Sequence, residues 1–425
     1  MNLSHRLLPA AFALTLGLAL LGSNAQAQTS VCGLQNGNYS LVLSTPAACA
    51  SVSNSTVQGL VNEISTSGVQ GLIGSYNGTQ VLSATVNYDT TLMSFGYRNA
   101  GYTGTGAQLN LSIPALGINQ TFNGANRDVT RQELVNYLKQ NLAGAIMKYQ
   151  AGHSPISPIA GVGGLLQNAV AGDFNGTFND TVEQTAPGDL VNQDSGGKSG
   201  GDLIGVGLSA SSFITGGQRV NETTLPFSYT IRNDIDPRRQ LVFALPVTYV
   251  EANQAKSYQG GLGAMYRFPV SDNWTVAPGL RVSGVASPDL ASDAGMYALS
   301  LMSVYVWNLA HVDIAMGNMI GYDRTLNLHV GGYRSNPDIA NEVLRNGLML
   351  SQKVVLGGRR MSLETSLIDT RYFGTKLYVE DTQELGVSLG TNRSASSARS
   401  YLRGGITLLH GKDTKGINGI IGYWF

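Results

Sequence analysis

After residue 27 the chain contains no run of 18 or more apolar residues, yet from about Asp202 to Phe425 it alternates apolar with polar or small residues in segments of about ten. Such alternation has the period of a β-strand, so each segment presents one apolar and one polar face. Leu225, Phe227, Tyr229 and Ile231 share a face, as do Leu241, Phe243, Leu245, Val247 and Tyr249. Tyr258, Leu262, Ala264, Tyr266 and Phe268 oppose Gln259, Gly261, Gly263 and Arg267, and Leu385, Val387 and Leu389 oppose Glu384, Gly386 and Ser388. About twelve such segments fit the stretch. Without an apolar helix, insertion into a membrane requires a closed barrel, because lipid leaves unpaired backbone groups unsatisfied.

A soluble sandwich would also alternate, and the chain end separates the two cases. Ile417, Ile421, Tyr423 and Phe425 alternate up to a terminal aromatic residue. Ile421, Tyr423 and Phe425 resemble the last-strand signal through which outer-membrane barrels are recognised for insertion. The expected fold class is therefore all-β, an antiparallel transmembrane barrel of about twelve strands over residues 202–425. Composition agrees: 53 glycines, 19 tyrosines and only 13% charged residues suit β-structure facing lipid. Zero net charge speaks against a nucleic-acid partner.

The N-terminus directs the chain to such a membrane. Met1 to Arg6 is basic, Leu7 to Gly22 is apolar and Ala25-Gln26-Ala27 is a small-residue cleavage motif, so residues 1–27 read as a secretory signal peptide. Cys32 and Cys49 are the only cysteines, and in an oxidising compartment they are expected to form a disulfide. That bridge closes a loop of about 17 residues, worth roughly 3 kcal/mol.

Residues 28–181 form an exported β-rich domain with one or two helices. Short β-like runs occur at Tyr39 to Leu43, Val81 to Tyr88, Thr91 to Arg98 and Gln108 to Ile113. Thr130-Arg131-Gln132-Glu133 reads as a capping box, followed by Leu134, Leu138, Leu142 and Ile146, which predicts a helix over 130–149. Ala160 to Asp173 is a second helix candidate. Residues 182–201 are a polar, Gly-rich linker, and the barrel follows.

Taking Phe425 as periplasmic, the inward connections are Asp234 to Arg239, Val270 to Asn273, Trp307 to Ala310, Gly357 to Arg360 and Thr391 to Ala395. The outward set contains the longest, Tyr322 to Asn346. An even strand count starts the first strand on the periplasmic side. The N-terminal domain then hangs in the periplasm unless its linker threads back through the barrel.

The expected lumen carries Arg267, Arg281, Asp313, Lys353, Glu364, Glu384 and Arg403. In a bore this small, charges of both signs are expected to pair, with a narrow polar path as the alternative. Motifs for chemistry are weak. Gly386 to Gly390 matches G-x-S-x-G but lies inside an alternating strand, and Gly197-Lys198-Ser199 opens no helix. His153, His311, His329 and His410 are scattered, so no metal site or cofactor is expected. His311 shares a strand face with Asp313, and Ser362 and Ser366 are available nearby, yet no spacing singles them out for catalysis.

The strand count, the terminal Tyr423-Trp424-Phe425 and the preceding Gly-rich segment with candidate helices resemble the autotransporter family. The resemblance covers about residues 202–425. It implies a barrel that carries an N-terminal passenger to the cell surface, a helix lying in the pore, and folding by the barrel-assembly machinery in contact with outer-membrane lipid. No catalytic residue transfers with it. Three readings stay open: a displayed domain that binds a surface ligand, a barrel with a periplasmic domain acting as a structural component or narrow channel, and an outer-membrane hydrolase.

Overall fold

The computed structural model describes residues 32–97, 106–184, 202–233, 235–236, 238–330, 333–391 and 401–424. The expected signal peptide, Phe425 and most of the 182–201 linker lie outside them. No described helix is long and apolar enough to cross a membrane, which says nothing of strands.

Strands β1 (Tyr39–Ser44), β2 (Cys49–Asn54), β3 (Leu82–Tyr88), β4 (Thr91–Tyr97), β5 (Ala107–Ile113) and β6 (Ile118–Gly124) form an antiparallel sheet in the order β2-β1-β3-β4-β5-β6. Alternate residues such as Leu41, Leu43, Val86, Met93, Leu109 and Leu111 are buried on one face. That face packs on α1 (Val57–Glu63), α2 (Thr66–Leu72) and α3 (Arg127–Tyr137). The disulfide between Cys32 and Cys49 is formed, with a Cα–Cα separation of 6.0 Å.

The helix expected over 130–149 lies within a longer stretch. α3 continues through a π-turn, Leu138–Leu142, into α4 (Ala143–His153). The capping residue also differs from expectation. Asn126, extended and accepting from the Val129 N–H, is the N-cap, whereas Thr130 sits inside the helix and donates its hydroxyl to the Asn126 and Ala107 carbonyls. The buried turns of 154–164 lead into α5 (Leu165–Gln184), which begins inside the Ala160 to Asp173 candidate and runs well past it.

Twelve antiparallel strands then close a barrel: β7 (Leu203–Thr215), β8 (Gln218–Arg232), β9 (Gln240–Ala252), β10 (Ala255–Pro269), β11 (Trp274–Ser287), β12 (Ser292–Asn308), β13 (Val312–Thr325), β16 (Ala340–Leu356), β17 (Arg359–Gly374), β18 (Asp381–Thr391), β19 (Tyr401–Gly411) and β20 (Thr414–Trp424). A small hairpin, β14 (Leu328–Val330) with β15 (Tyr333–Ser335), rises from the connection between β13 and β16. Closure is made by β20 on β7, from Trp424 opposite Gly205 to Thr414 opposite Thr215. The barrel sheet therefore has no free edge to template another chain.

The faces are inverted relative to a soluble protein. Leu225, Phe227, Leu262, Leu280, Leu348, Val387 and Ile406 point outward and are exposed, while Thr248, Gln259, Arg267, Arg281, Ser351 and Glu364 point inward and are buried. An apolar outer belt around a filled interior is what lipid demands. The chain is an outer-membrane β-barrel protein.

One rim holds both barrel termini, near Leu203 and Trp424, and we call it the near rim. The far rim carries connections 216–217, 253–254, 288–291, 326–339, 375–380 and 412–413. The longest connection is there, as expected, although the strands reach further and shorten it to 326–339. Two-residue turns occur at both rims: Gly216–Gly217 and Asn253–Gln254 on the far rim and Gly357–Gly358 on the near rim take the paired positive φ values of tight hairpins.

The N-terminal sheet and helices sit on this far rim. The Val57 N–H donates to the Asp289 carbonyl at 2.8 Å, Asn253 Nδ2 to Asn38 Oδ1 at 2.9 Å, and the Tyr378 N–H to the Ala151 carbonyl at 2.7 Å. Their hydrophobic core runs without a break onto Phe213, Val220, Val250, Ala252, Ala255, Leu290 and Val379 of the barrel.

Candidate functional site: the occupied barrel lumen

The lumen is filled by α5. Leu166, Val170, Phe174 and Phe178 recur every four residues and are buried, so one stripe of the helix packs against barrel wall. The wall it meets is apolar: Met302, Val304, Val306, Ala315, Met319, Val343 and Met349 point inward from β12, β13 and β16. Phe174 and Phe178 stand 4.9 Å apart over Gly317 and Gly347. A Cβ on Gly347 would meet Phe174 Cζ at 2.8 Å and Phe178 Cε1 at 3.1 Å, and one on Gly317 would clash with the Phe178 ring. These glycines are the recess into which the rings fit.

Polar contacts fix the helix along its length. At its start, Asn168 Nδ2 donates to Glu222 Oε2 at 3.1 Å and to Gln259 Oε1 at 3.0 Å, and Gln259 Nε2 donates to the Gly163 carbonyl at 2.7 Å. Gly163 has φ +76° and lies against the Glu222 carboxylate, a conformation and a space that favour glycine. Midway, Arg281 Nε donates to Asp173 Oδ1 at 2.7 Å, and the two side chains are 4% and 9% exposed. Further along, Arg267 donates to the Gly176 carbonyl and, at 2.7 Å, to Gln240 Oε1, while the Thr177 hydroxyl meets the Met265 sulfur.

Two further ion pairs lie in the lumen. Arg345 grips Glu384 with two bonds, at 2.9 and 3.2 Å, donates to Thr370 Oγ1 at 2.6 Å and stacks its guanidinium over Phe174 at 5.0 Å. Arg403 is bonded to Glu364, whose other contact is the Ser388 hydroxyl at 2.8 Å. Asp323 is buried within electrostatic range of both Asp173 and Arg281, and its Oδ1 meets no hydrogen-bond donor.

Of the seven charges expected in the lumen, Arg267 and Arg281 touch α5, Glu364 and Arg403 pair with each other, and Glu384 pairs with Arg345. Asp313 is buried at the near-rim end of β13, within electrostatic range of Lys353. His311 is exposed in the 309–311 turn, and no hydrogen bond or ion pair joins it to Asp313. Gly386 to Gly390 is plain strand in β18. Ile421 and Tyr423 are on the outer face, half exposed, and Phe425 lies outside the described residues.

The residues that matter most here and were not expected are Asp173, Phe174, Phe178, Glu222, Asp323 and Arg345. The four-residue spacing from Leu166 to Phe178 was the available signal for Phe174 and Phe178.

No family model matches the chain, and no curated protein matches it. Among solved structures it is similar to the β-domain of the Bordetella autotransporter Brka, at 14% identity and TM-score 0.43, covering 53% of this chain and 99% of that one. The translocator domain of the autotransporter NalP from Neisseria meningitidis is similar at 12% identity and TM-score 0.42, over 61% and 96% of the two chains. The KdgM porin follows at 10% identity and TM-score 0.31, over 52% and 98%. The class assignment rests on the closed barrel and its lipid-facing belt.

Proposed function

We propose that the barrel anchors the N-terminal domain and displays it on the outer surface of the cell, with α5 as the segment that crosses the outer membrane inside the barrel. The observation that carries this reading is the position of α5. It fills the lumen between a domain seated on the far rim and a first strand that starts at the near rim. With the Tyr423 end periplasmic, as the last-strand signal implies, the far rim faces outward. In this reading α5 carries the chain back through the barrel and the domain does not hang into the periplasm. Export by residues 1–27 and insertion by the barrel-assembly machinery belong to the same proposal.

The paired charges and the aromatic plug speak against an open channel as the resting state. An epitope tag placed after Ala27 tests the reading on intact cells. Cleavage by external protease, with a periplasmic control protein untouched, is the expected result. Protection until the outer membrane is permeabilised would overturn it.

A further inference from the structure

Both edges of the N-terminal sheet end in short strands, but only one is guarded. The segment leading to β1 is tied across β2 by the Cys32–Cys49 bridge and by Gln35 Nε2, which donates to Ser51 Oγ at 3.0 Å and to the Ser51 carbonyl at 3.4 Å. At the other edge, no backbone hydrogen bond among the described residues reaches β6 from outside its pairing with β5. Asn119, Gln120, Thr121 and Asn123 are exposed there. The Gln120 amide donates to the Thr121 carbonyl at 3.2 Å, a bond between exposed groups that a partner strand can replace.

Natural sheets protect such edges with lysine, proline, bulges or a covering element, because a row of open N–H and C=O groups pairs with any extended chain. Among the described residues, β6 carries no lysine or proline and no strand pairs along its outer side. From Cys32 to Asn126 only Glu63, Asp89 and Arg98 carry charge, and none of the six strands contains a charged residue. On the side of the sheet away from the barrel, the β5–β6 pair presents Gln108, Asn110, Thr121 and Asn123, already bonded across strands at 2.8 and 3.0 Å. Hydroxyl and amide groups both donate and accept, so such a surface is complementary to a copy of itself. A two-fold contact requires that property.

We propose that β6 is an association edge for a second copy of this chain. Two β6 strands pair antiparallel about a two-fold axis near Thr121, the midpoint of Ile118–Gly124, and join two six-stranded sheets into one. A second copy is favoured over a charged peptide because nothing along the edge offers a counter-charge, and nothing repels an identical neighbour. Association in detergent does not depend on which rim faces outward, so its failure leaves the display reading untouched.

The test uses the full chain in detergent, with sedimentation across a wide concentration range and mild oxidation of two single-cysteine variants. Thr121→Cys is expected to give a disulfide-linked dimer, since each copy's residue 121 faces its mate, while Ser83→Cys, exposed on the same sheet far from the edge, gives none. Thr121→Lys places like charges opposite each other and is expected to weaken the dimer about tenfold. A wild-type chain that stays monomeric throughout, equal cross-linking at both positions, or a dimer indifferent to Thr121→Lys would each overturn the proposal.

Discussion

Replacing Asp173 by Asn removes one negative charge from the middle of α5 and leaves its shape unchanged. Arg281, almost wholly buried, then loses its principal counter-ion. Breaking a buried pair by removing one partner costs about 3–5 kcal/mol, because the other charge stays buried. Here the cost is smaller, since the Asn amide oxygen can still accept from Arg281 Nε and only the charge is lost. A loss of about 2 kcal/mol in the docking of α5 is a reasonable magnitude, and by the tenfold-per-1.4 relation it raises the opening of the helix about thirtyfold.

Hydrogen exchange on the detergent-solubilised full chain reads that opening directly, with the α5 amides compared against barrel strands as an internal reference. The neighbouring charges supply a ranking as well as a size. Arg281→Gln leaves Asp173 buried without its cation and should loosen α5 more than Asp173→Asn does. Asp323→Asn breaks no ion pair with α5 and should loosen it less than either of the other two changes. An α5 that exchanges at the wild-type rate in Asp173→Asn, with the barrel intact, would refute the idea that this pair holds the helix. So would Asp323→Asn loosening α5 more than Arg281→Gln.

Gly347→Val should unseat α5 by overpacking, at a cost of about 1–3 kcal/mol, seen as conductance events in planar bilayers where the wild type is closed. Replacing Cys32 and Cys49 by Ser should lower the stability of the N-terminal domain by about 3 kcal/mol, measured by urea unfolding followed by proteolysis of that domain, with little effect on the barrel. Asp89 is buried in the β3–β4 turn against Ser154 Oγ at 2.9 Å, and burial pushes its pKa from 3.8 to about 7. The folded domain therefore keeps a proton that the unfolded chain gives up. Its stability should fall by up to about 4 kcal/mol as pH rises from 3.8 to 7 and stay level above that, and Asp89→Asn, tolerated at φ 43°, should abolish the slope. A slope that persists in Asp89→Asn would assign it to another group.

The barrel was legible because lipid imposes one rule on every strand, and a period of two states that rule residue by residue. Leu225 to Ile231 and Tyr258 to Phe268 have the outward faces that their sequence declares. Strand ends were harder to read. Asp323, Arg324, Asn341, Glu342 and Arg345 look like a polar loop, yet they continue β13 and β16 beyond the apolar belt. Extension of the strands is what brings Asp323 and Arg345 into the lumen. β2, β6, α1 and α2 are short, and their weak periodicity is fixed by packing on one another and not by local preference.

α5 was legible only in part, through the Ala160 to Asp173 candidate, for a different reason. A helix on a protein surface shows one apolar stripe and one polar face, but α5 packs on β10 to β13 and β16, whose inward faces carry Met, Val and Arg side chains together, and so bears Asp173 beside Phe174 without contradiction. Its glycines, Gly172 and Gly176, read as breakers. Gly172 in fact lies against the Arg281 guanidinium, and the Gly176 carbonyl accepts from Arg267. The wall carries the matching anomaly, since from Leu301 to Trp307 β12 is apolar on both faces except at Ser303, with Met302, Val304 and Val306 buried inward. A strand with lipid on one side and water on the other has no use for that second apolar face. Two-sided apolarity in a barrel strand therefore reports an occupant of the bore. The occupant has to be apolar on the facing side, and in this chain the stripe from Leu166 to Phe178 meets that condition.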